Sequence, residues 1–292
     1  MRAETIRVMS FNLWHGGTMR GQSVEESARV IRAANADIVG LQETAGVAPQ
    51  GKPRPDSAAA LAQILGWEYL DQGGNTGILS RFPIIGHTPK KWGAKLRLPS
   101  GQTLYHFNAH LMHAPYQPYQ LLNIPYHNGP FLKTEAEAVV AARAARGDQV
   151  QRLLAETEIA RRENLSALLT GDFNEPSHRD WTAAAVSARR CPLKVEWPTT
   201  KAIEDAGFAD AYRRVHPDPL RRPGLTWTPT TAPDDPKDHH DRIDFVFARG
   251  PHLRPLTARI VGEAPHTADI VVPRYPSDHR ALVCEFQITT PA

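Results

Sequence analysis

Residues 6–41 read IRVMSFNLWHGGTMRGQSVEESARVIRAANADIVGL. Residues 6–13 are an apolar run of strand length. Behind Ser23, which with Glu26 has the spacing of a capping box, Val24, Ala28 and Ile31 recur on one helical face, and the apolar run 38–41 follows. Strand, helix and strand in such a short span open an α/β protein, in which helices cover the faces of a sheet.

The rest of the chain extends this pattern. Asp56 is placed to cap a helix carrying Leu61, Ile64 and Leu65, Gly66 to end it, and residues 77–80 to form the next strand. Further strands are predicted over residues 103–109, 166–170 and 243–248. The alternation of Leu282, Cys284, Phe286 and Ile288 predicts a half-buried last strand. Residues 134–162, rich in Ala, Glu, Arg and Leu, predict a long helix with an interruption near Gly147. Two proline-rich stretches, 113–130 and 217–241, read as loops, where a rigid α/β scaffold keeps its specificity. With no internal repeat and no low-complexity linker, a single domain over residues 1–292 is expected.

Composition sets limits on function. With 292 residues, 41% hydrophobic and 22% charged, the chain has the balance of a globular enzyme, which excludes a disordered tail or a membrane span. A net charge of +3 is too small a field to announce nucleic acid as partner, although it leaves one open. Cys191 and Cys284 are too few for a disulfide framework. The N-terminal residues show no signal-peptide pattern, so a cytoplasmic monomer is expected, or a secreted one had a signal segment been removed.

Polar residues stand at the ends of the apolar runs: Asn12, Glu43, His110 and Asp172 with Asn174 follow strands, Asp278–His279 precede the last one, and Asp244 lies inside the run 243–248. One such residue is ordinarily a turn former. A whole set changes the reading, because strand ends in an α/β sheet meet along one edge and converge on one cleft. Carboxylates and carboxamides without thiolate favour Mg2+ or Mn2+ over structural zinc. The histidines add donors for a phosphoryl oxygen, and Asp244 is suited to fix the ring of His279. Phosphate-ester hydrolysis needs such charge neutralisation, since its uncatalysed rate is among the slowest known.

In chain order the motifs SFNLW, LQE, NAHL, LLTGDFN, RIDFVF and SDH resemble the endonuclease/exonuclease/phosphatase superfamily, whose members include pancreatic-type deoxyribonuclease, abasic-site endonucleases, sphingomyelinases, inositol polyphosphate 5-phosphatases and poly(A) deadenylases. The resemblance spans nearly the whole chain. It implies a four-layer α/β sandwich, two packed mixed sheets with helices on both outer faces. It also implies that Glu43 is the principal metal-ligating carboxylate, that Asn12 helps to hold metal or water, and that Asp278 is the second metal-side carboxylate. Asp172 would orient or deprotonate the attacking water, Asn174 and His110 would contact phosphate, and Asp244 with His279 would be the family's Asp-His pair.

Two departures matter. Trp14 stands where the abasic-endonuclease branch tends to carry aspartate, which disfavours that branch. The deoxyribonuclease branch pairs its first catalytic histidine with a glutamate, and the counterpart region here reads Gly74-Asn75-Thr76-Gly77, leaving the partner of His110 open.

Other signals are set aside. Asp238-His239-His240-Asp241 lies in a Pro- and Asp-rich loop instead of closing an apolar strand, and reads as solvated. His110-Leu111-Met112-His113 lacks the glutamate of a zinc-protease helix, and no nucleophile elbow or phosphate-binding Gly-Lys-Ser/Thr loop is present. Basic pairs such as Arg189-Arg190 and Arg213-Arg214 read as solvated surface, and Trp14 and Trp227 as packing. A small-molecule or lipid-headgroup phosphoesterase is thus preferred over a nuclease, and both over a silent binding module. Residues 113–130 are expected to form a lid or wall over the phosphate site, with Tyr116 and Tyr119 among its apolar contacts.

Overall fold

The computed structural model describes residues 3–289. In chain order its strands are β1 (Ala3–Asn12), β2 (Ile38–Gln42), β3 (Glu68–Gly73), β4 (Thr76–Ser80), β5 (Ile84–His87), β6 (Gly93–Arg97), β7 (Thr103–His110), β8 (Ser166–Asp172), β9 (Ala209–Asp210), β10 (Asp244–Arg249), β11 (Leu253–Gly262), β12 (Ile270–Val271) and β13 (Ala281–Thr289). A seven-stranded sheet has the order β12-β11-β13-β1-β2-β4-β3, and a six-stranded sheet the order β5-β6-β7-β8-β10-β9. The two sheets pack face to face. Helices Val24–Ala33 and Ser57–Leu65 cover the outside of the first, and Glu135–Arg162 and Pro198–Asp205 the outside of the second. This is the expected four-layer α/β sandwich.

The pleat assigns each residue to a layer. Along β1, Ile6 and Val8 lie in the core between the sheets, while Met9, Phe11 and Leu13 pack on the helices. Along β8, Leu168 faces inward and Ala167, Leu169 and Phe173 face the helices. Strands buried on both faces read as continuous apolar runs, which made β1, β2, β7, β8 and β10 visible in the sequence.

Between the sheets the inward faces turn polar toward one edge. Gln42 Nε2 donates to Asn108 Oδ1 at 2.6 Å, Thr170 Oγ1 donates to the same oxygen at 3.1 Å, and His106 Nε2 lies 2.9 Å from Thr170 Oγ1. Burial pushes His106 down to about 3, so its ring is neutral. Gly40 makes this contact possible, since a Cβ there would sit 1.9 Å from Thr170 Oγ1.

Local signals were realised unevenly. Asp56 accepts from the amides of Ala58 and Ala59, and Gly66 ends that helix at φ 69°. Glu135–Arg162 runs unbroken through Gly147, held by a capping box of Thr134 and Glu137 and by burial of Ala142, Arg146, Val150 and Leu153. Packing outweighs the propensity cost of one glycine, about 1 kcal/mol. The Ser23 capping box does not form, because the Glu26 carboxylate pairs with Arg29 and with Arg274 at 2.9 Å.

Candidate active site

Parallel pairing explains why the polar strand ends meet. β1 with β2, and β7 with β8, are parallel pairs in opposite sheets, so Asn12, the Glu43 position, His110 and Asp172 all lie at one end. The antiparallel β10 and β13 start where those strands finish, which brings in Asp244, opposite Asp172 in register, and His279. Parity does the rest: Asp172 follows Leu168 and Thr170, and His110 follows His106 and Asn108, on the face between the sheets.

At the centre His279 Nδ1 lies 2.9 Å from Asp244 Oδ2, and its Nε2 lies 3.7 Å from Asp172 Oδ2. Asp172, Asp244 and His279 are all at least 95% buried. Burial alone would push the His279 imidazole down, but Asp244, Asp172 and Asp278 overcome it and raise it to about 10, so the ring is an imidazolium. The Asp244 amide donates to Thr226 Oγ1 at 3.1 Å, and Trp227 packs edge-on against the His279 ring at 4.9 Å.

Glu43 follows β2 at φ 54°, a left-handed conformation that costs a non-glycine residue about 1 kcal/mol or more. The turn is held by Gly16 N donating to the Glu43 carbonyl at 2.7 Å and by His15 N donating to Oε2 at 3.0 Å. Burial opposes the Glu43 charge, yet His110, the His15 amide and His279 bring its carboxyl below the usual range. Asp278 goes the other way. Burial raises its carboxyl to about 7, with Glu43 and Asp172 adding repulsion against the help of His279.

These carboxylates fit a divalent cation. Buried Asp278 Oδ1 has no partner among the described residues, and the ion pairs made by Glu43 and Asp172 are to histidines only. A hard cation between Glu43 and Asp278 would relieve both the orphaned oxygen and the like-charge repulsion. Asp172, Asp244 and His279 offer ligand atoms within 4.8 Å of one another, but His279 Nδ1 is already bonded to Asp244. Asn12 sits between the carboxylates: its Oδ1 accepts the Trp14 amide at 2.9 Å, and its Nδ2 donates to Asp172 at 3.0 Å and Glu43 at 3.3 Å, which orients both.

The remaining expected residues border the same cleft. His110 Nε2 is 3.5 Å from Asp172 Oδ2, and the ring makes no hydrogen bond among the described residues. Asn174, at φ 49°, donates its amide to Asp172 Oδ1 at 2.9 Å and its side chain to the Leu111 carbonyl at 3.1 Å. All eight residues singled out in the sequence therefore gather at one edge.

Residues 113–130 wall this edge, differently from expectation. Tyr116 and Tyr119 are buried; Tyr116 Oη donates to Asp241 at 2.7 Å, and Tyr119 donates to Asp238. They pin the segment and leave Tyr126 to face the cleft, where Glu43, Asp172 and Asp278 act on its hydroxyl after burial has raised it. Arg146, 0% exposed, ties the start of the segment to Glu175 at 3.0 Å and to the carbonyls of Met112 and Pro115. Asp238–Asp241 is thus the anchor of the wall, not a solvated loop. Arg213 of one basic pair is likewise buried, paired with Asp180 at 2.6 Å.

Sequence reasoning gave no role to Thr226 or Ser277. Ser277 Oγ donates to the Asn12 carbonyl at 2.7 Å and accepts the His279 amide at 3.0 Å. Its place before Asp278–His279 was the one signal for it; Thr226 sits in a loop with no local pattern.

A sequence profile of the Endonuclease/Exonuclease/phosphatase family matches residues 9–279. An uncharacterized protein of Caenorhabditis elegans is 28% identical over 297 residues, covering 96% of this chain and 91% of that protein. Among solved structures, an endonuclease/exonuclease/phosphatase from Beutenbergia cavernae is 19% identical with a TM-score of 0.61, over 97% of this chain and 72% of that one. Humanized D. rerio TDP2 is 18% identical with a TM-score of 0.53, over 97% and 98%. At these identities the structural likeness is one of fold. The matched profile, with its motifs gathered in one cleft, carries the assignment: the chain belongs to the endonuclease/exonuclease/phosphatase family of metal-dependent phosphoric ester hydrolases.

Proposed function

We propose that the chain, acting as one catalytic domain, hydrolyses a compact phosphodiester or phosphomonoester, of small-molecule or lipid-headgroup type, by in-line attack of water. The observation that carries this reading is the buried Asp244–His279 pair beside three carboxylates, Glu43, Asp172 and Asp278, that have histidines as their charged partners. Glu43 and Asp278 would hold Mg2+ or Mn2+, which when bound supplies positive charge against the phosphoryl and leaving oxygens.

Asp172 is the base. Asn12 and the Asn174 amide fix its two oxygens, and it takes a proton from the attacking water as the new P–O bond forms. The ester P–O bond breaks on the opposite side, and its electron pair leaves with the departing oxygen. The His279 imidazolium, held by Asp244, donates to a phosphoryl oxygen whose charge grows in the transition state. His110 offers a second donor from across Asp172.

The wall of residues 113–130, pinned through Tyr116, Tyr119 and Arg146, supports a compact substrate over a duplex. A second reading, nuclease, draws on one observation at the other rim, where Arg20 lies over Trp14 at 4.9 Å and Arg54 contacts His15. A panel of bis-p-nitrophenyl phosphate, p-nitrophenyl phosphate, sphingomyelin, RNA and plasmid DNA, with and without chelator, separates the readings. Chelator-sensitive turnover of the small esters or sphingomyelin is expected. Efficient cleavage of DNA or RNA alone would favour the nuclease.

A further inference from the structure

A cavity of about 360 Å³ opens beside His110, on the side formed by the β3–β4 turn, Trp92 and Gln149. Its volume lies within the range of small-molecule sites, and His110 is common to it and to the catalytic cleft. Apart from His110, no residue lining it bears an ionisable side chain. A second phosphate placed there would meet no counter-charge from the lining other than His110.

The polar groups left over are few. Gln72 is saturated, donating to the Trp92 and Asn108 carbonyls at 3.0 Å each and accepting from Asn108 Nδ2 at 2.8 Å, so it is fixed wall. Gln149 Oε1 accepts the Met112 amide at 2.8 Å, which leaves its Nε2 without a partner among the described residues. Thr76 gives its proton to the Gly73 carbonyl at 3.1 Å and keeps its oxygen as an acceptor. Trp92, half-buried, adds an aromatic surface. At the mouth, Gly73 and Gly74 have no atom within 4 Å of where a Cβ would stand.

We propose that this cavity is a subsite for an uncharged, ring-bearing arm of the phosphate ester, a sugar or aromatic ring, and that it selects such esters over ones continued by a second phosphate. The proposal rests on the cleft being a phosphoesterase site. It makes Thr76, Trp92 and Gln149 specificity residues, set apart from the residues of the chemical step.

Binding of phenylphosphonate and methylphosphonate to the Mn2+-loaded protein, measured by calorimetry, tests it. Phenylphosphonate should bind the wild-type protein at least tenfold more tightly than methylphosphonate. Thr76→Phe, which fills the cavity, should bring the ratio to about one while leaving methylphosphonate affinity unchanged. Trp92→Leu, which removes the aromatic surface, should lower the ratio as well and serves if Thr76→Phe does not fold. A ring preference that survives in a folded variant of either kind, or that is missing from the wild-type protein, overturns the subsite. Failure of both phosphonates to bind would instead overturn the phosphoesterase reading beneath it.

Discussion

Asp244→Asn removes the charge that holds His279 while nearly preserving shape. In the metal-free protein the imidazole stands at about 10 against an ordinary 6.5. At 1.36 kcal/mol per pH unit, that preference for the charged ring is about 5 kcal/mol, shared by Asp244, Asp172 and Asp278 against the penalty of burial. Asp244 is the largest of the three contributors and the one hydrogen-bonded to the ring. Without its charge, burial is opposed mainly by Asp172, and the pKa should fall by about two pH units or more. Titration of the imidazole by NMR in the presence of chelator reads this directly. In turnover assays the variant should lose about 10²–10⁴ in rate near pH 8, with its alkaline limb moved to lower pH. Stability carries the same sign. The raised pKa of His279 stabilises the fold fully below pH 6.5, and that contribution fades as pH climbs toward 10. An Asp244→Asn protein whose imidazole still titrates near 10, with an unmoved alkaline limb, would refute the ion-pair argument.

Chelator should abolish hydrolysis and Mg2+ or Mn2+ restore it. Because the Asp278 carboxyl is raised to about 7 and must be ionised to bind a cation, added metal should raise Tm markedly at pH 8 and little at pH 5. Asp172→Asn and His279→Ala should each cost orders of magnitude in kcat with the fold retained, and the double variant little more than the worse single one; multiplicative losses would mean the two do not act together. Tyr116→Phe strips Asp241 of a buried partner and should cost about 1–3 kcal/mol in urea unfolding while KM for a small ester stays put, the pattern of a pin, whereas a raised KM at full stability would restore a direct lid role. Gly40→Ala drives a methyl into Thr170 and Asn108, and a loss of about 1–3 kcal/mol in the same assay is expected.

Much of this was legible in the chain because it is local. A strand buried on both faces announces itself as an apolar run, and the polar residue that ends it marks the sheet edge, so Asn12, Glu43, His110 and Asp172 could be found without any contact map. β3 and β5, whose residues are almost all exposed or half-exposed, and two-residue strands such as β9 and β12 carry no such signature. Gly147 looked like a helix break because propensity is local, whereas the burial that keeps its helix continuous is not.

The covalent order of residues therefore dictated the α/β class, the strand ends and the identities of the chemical groups, all of which depend on spacings of a few residues. It was silent on what each group would feel. Asn12 and Asp172 meet across 160 positions, and Asp244 and His279 across 35. The raised carboxyl of Asp278, the burial of Arg146 and Arg213, and the neutrality of the cavity beside His110 are sums over groups brought together by sheet pairing. Electrostatic energy and desolvation depend on distance in space, and distance along the chain carries no record of it.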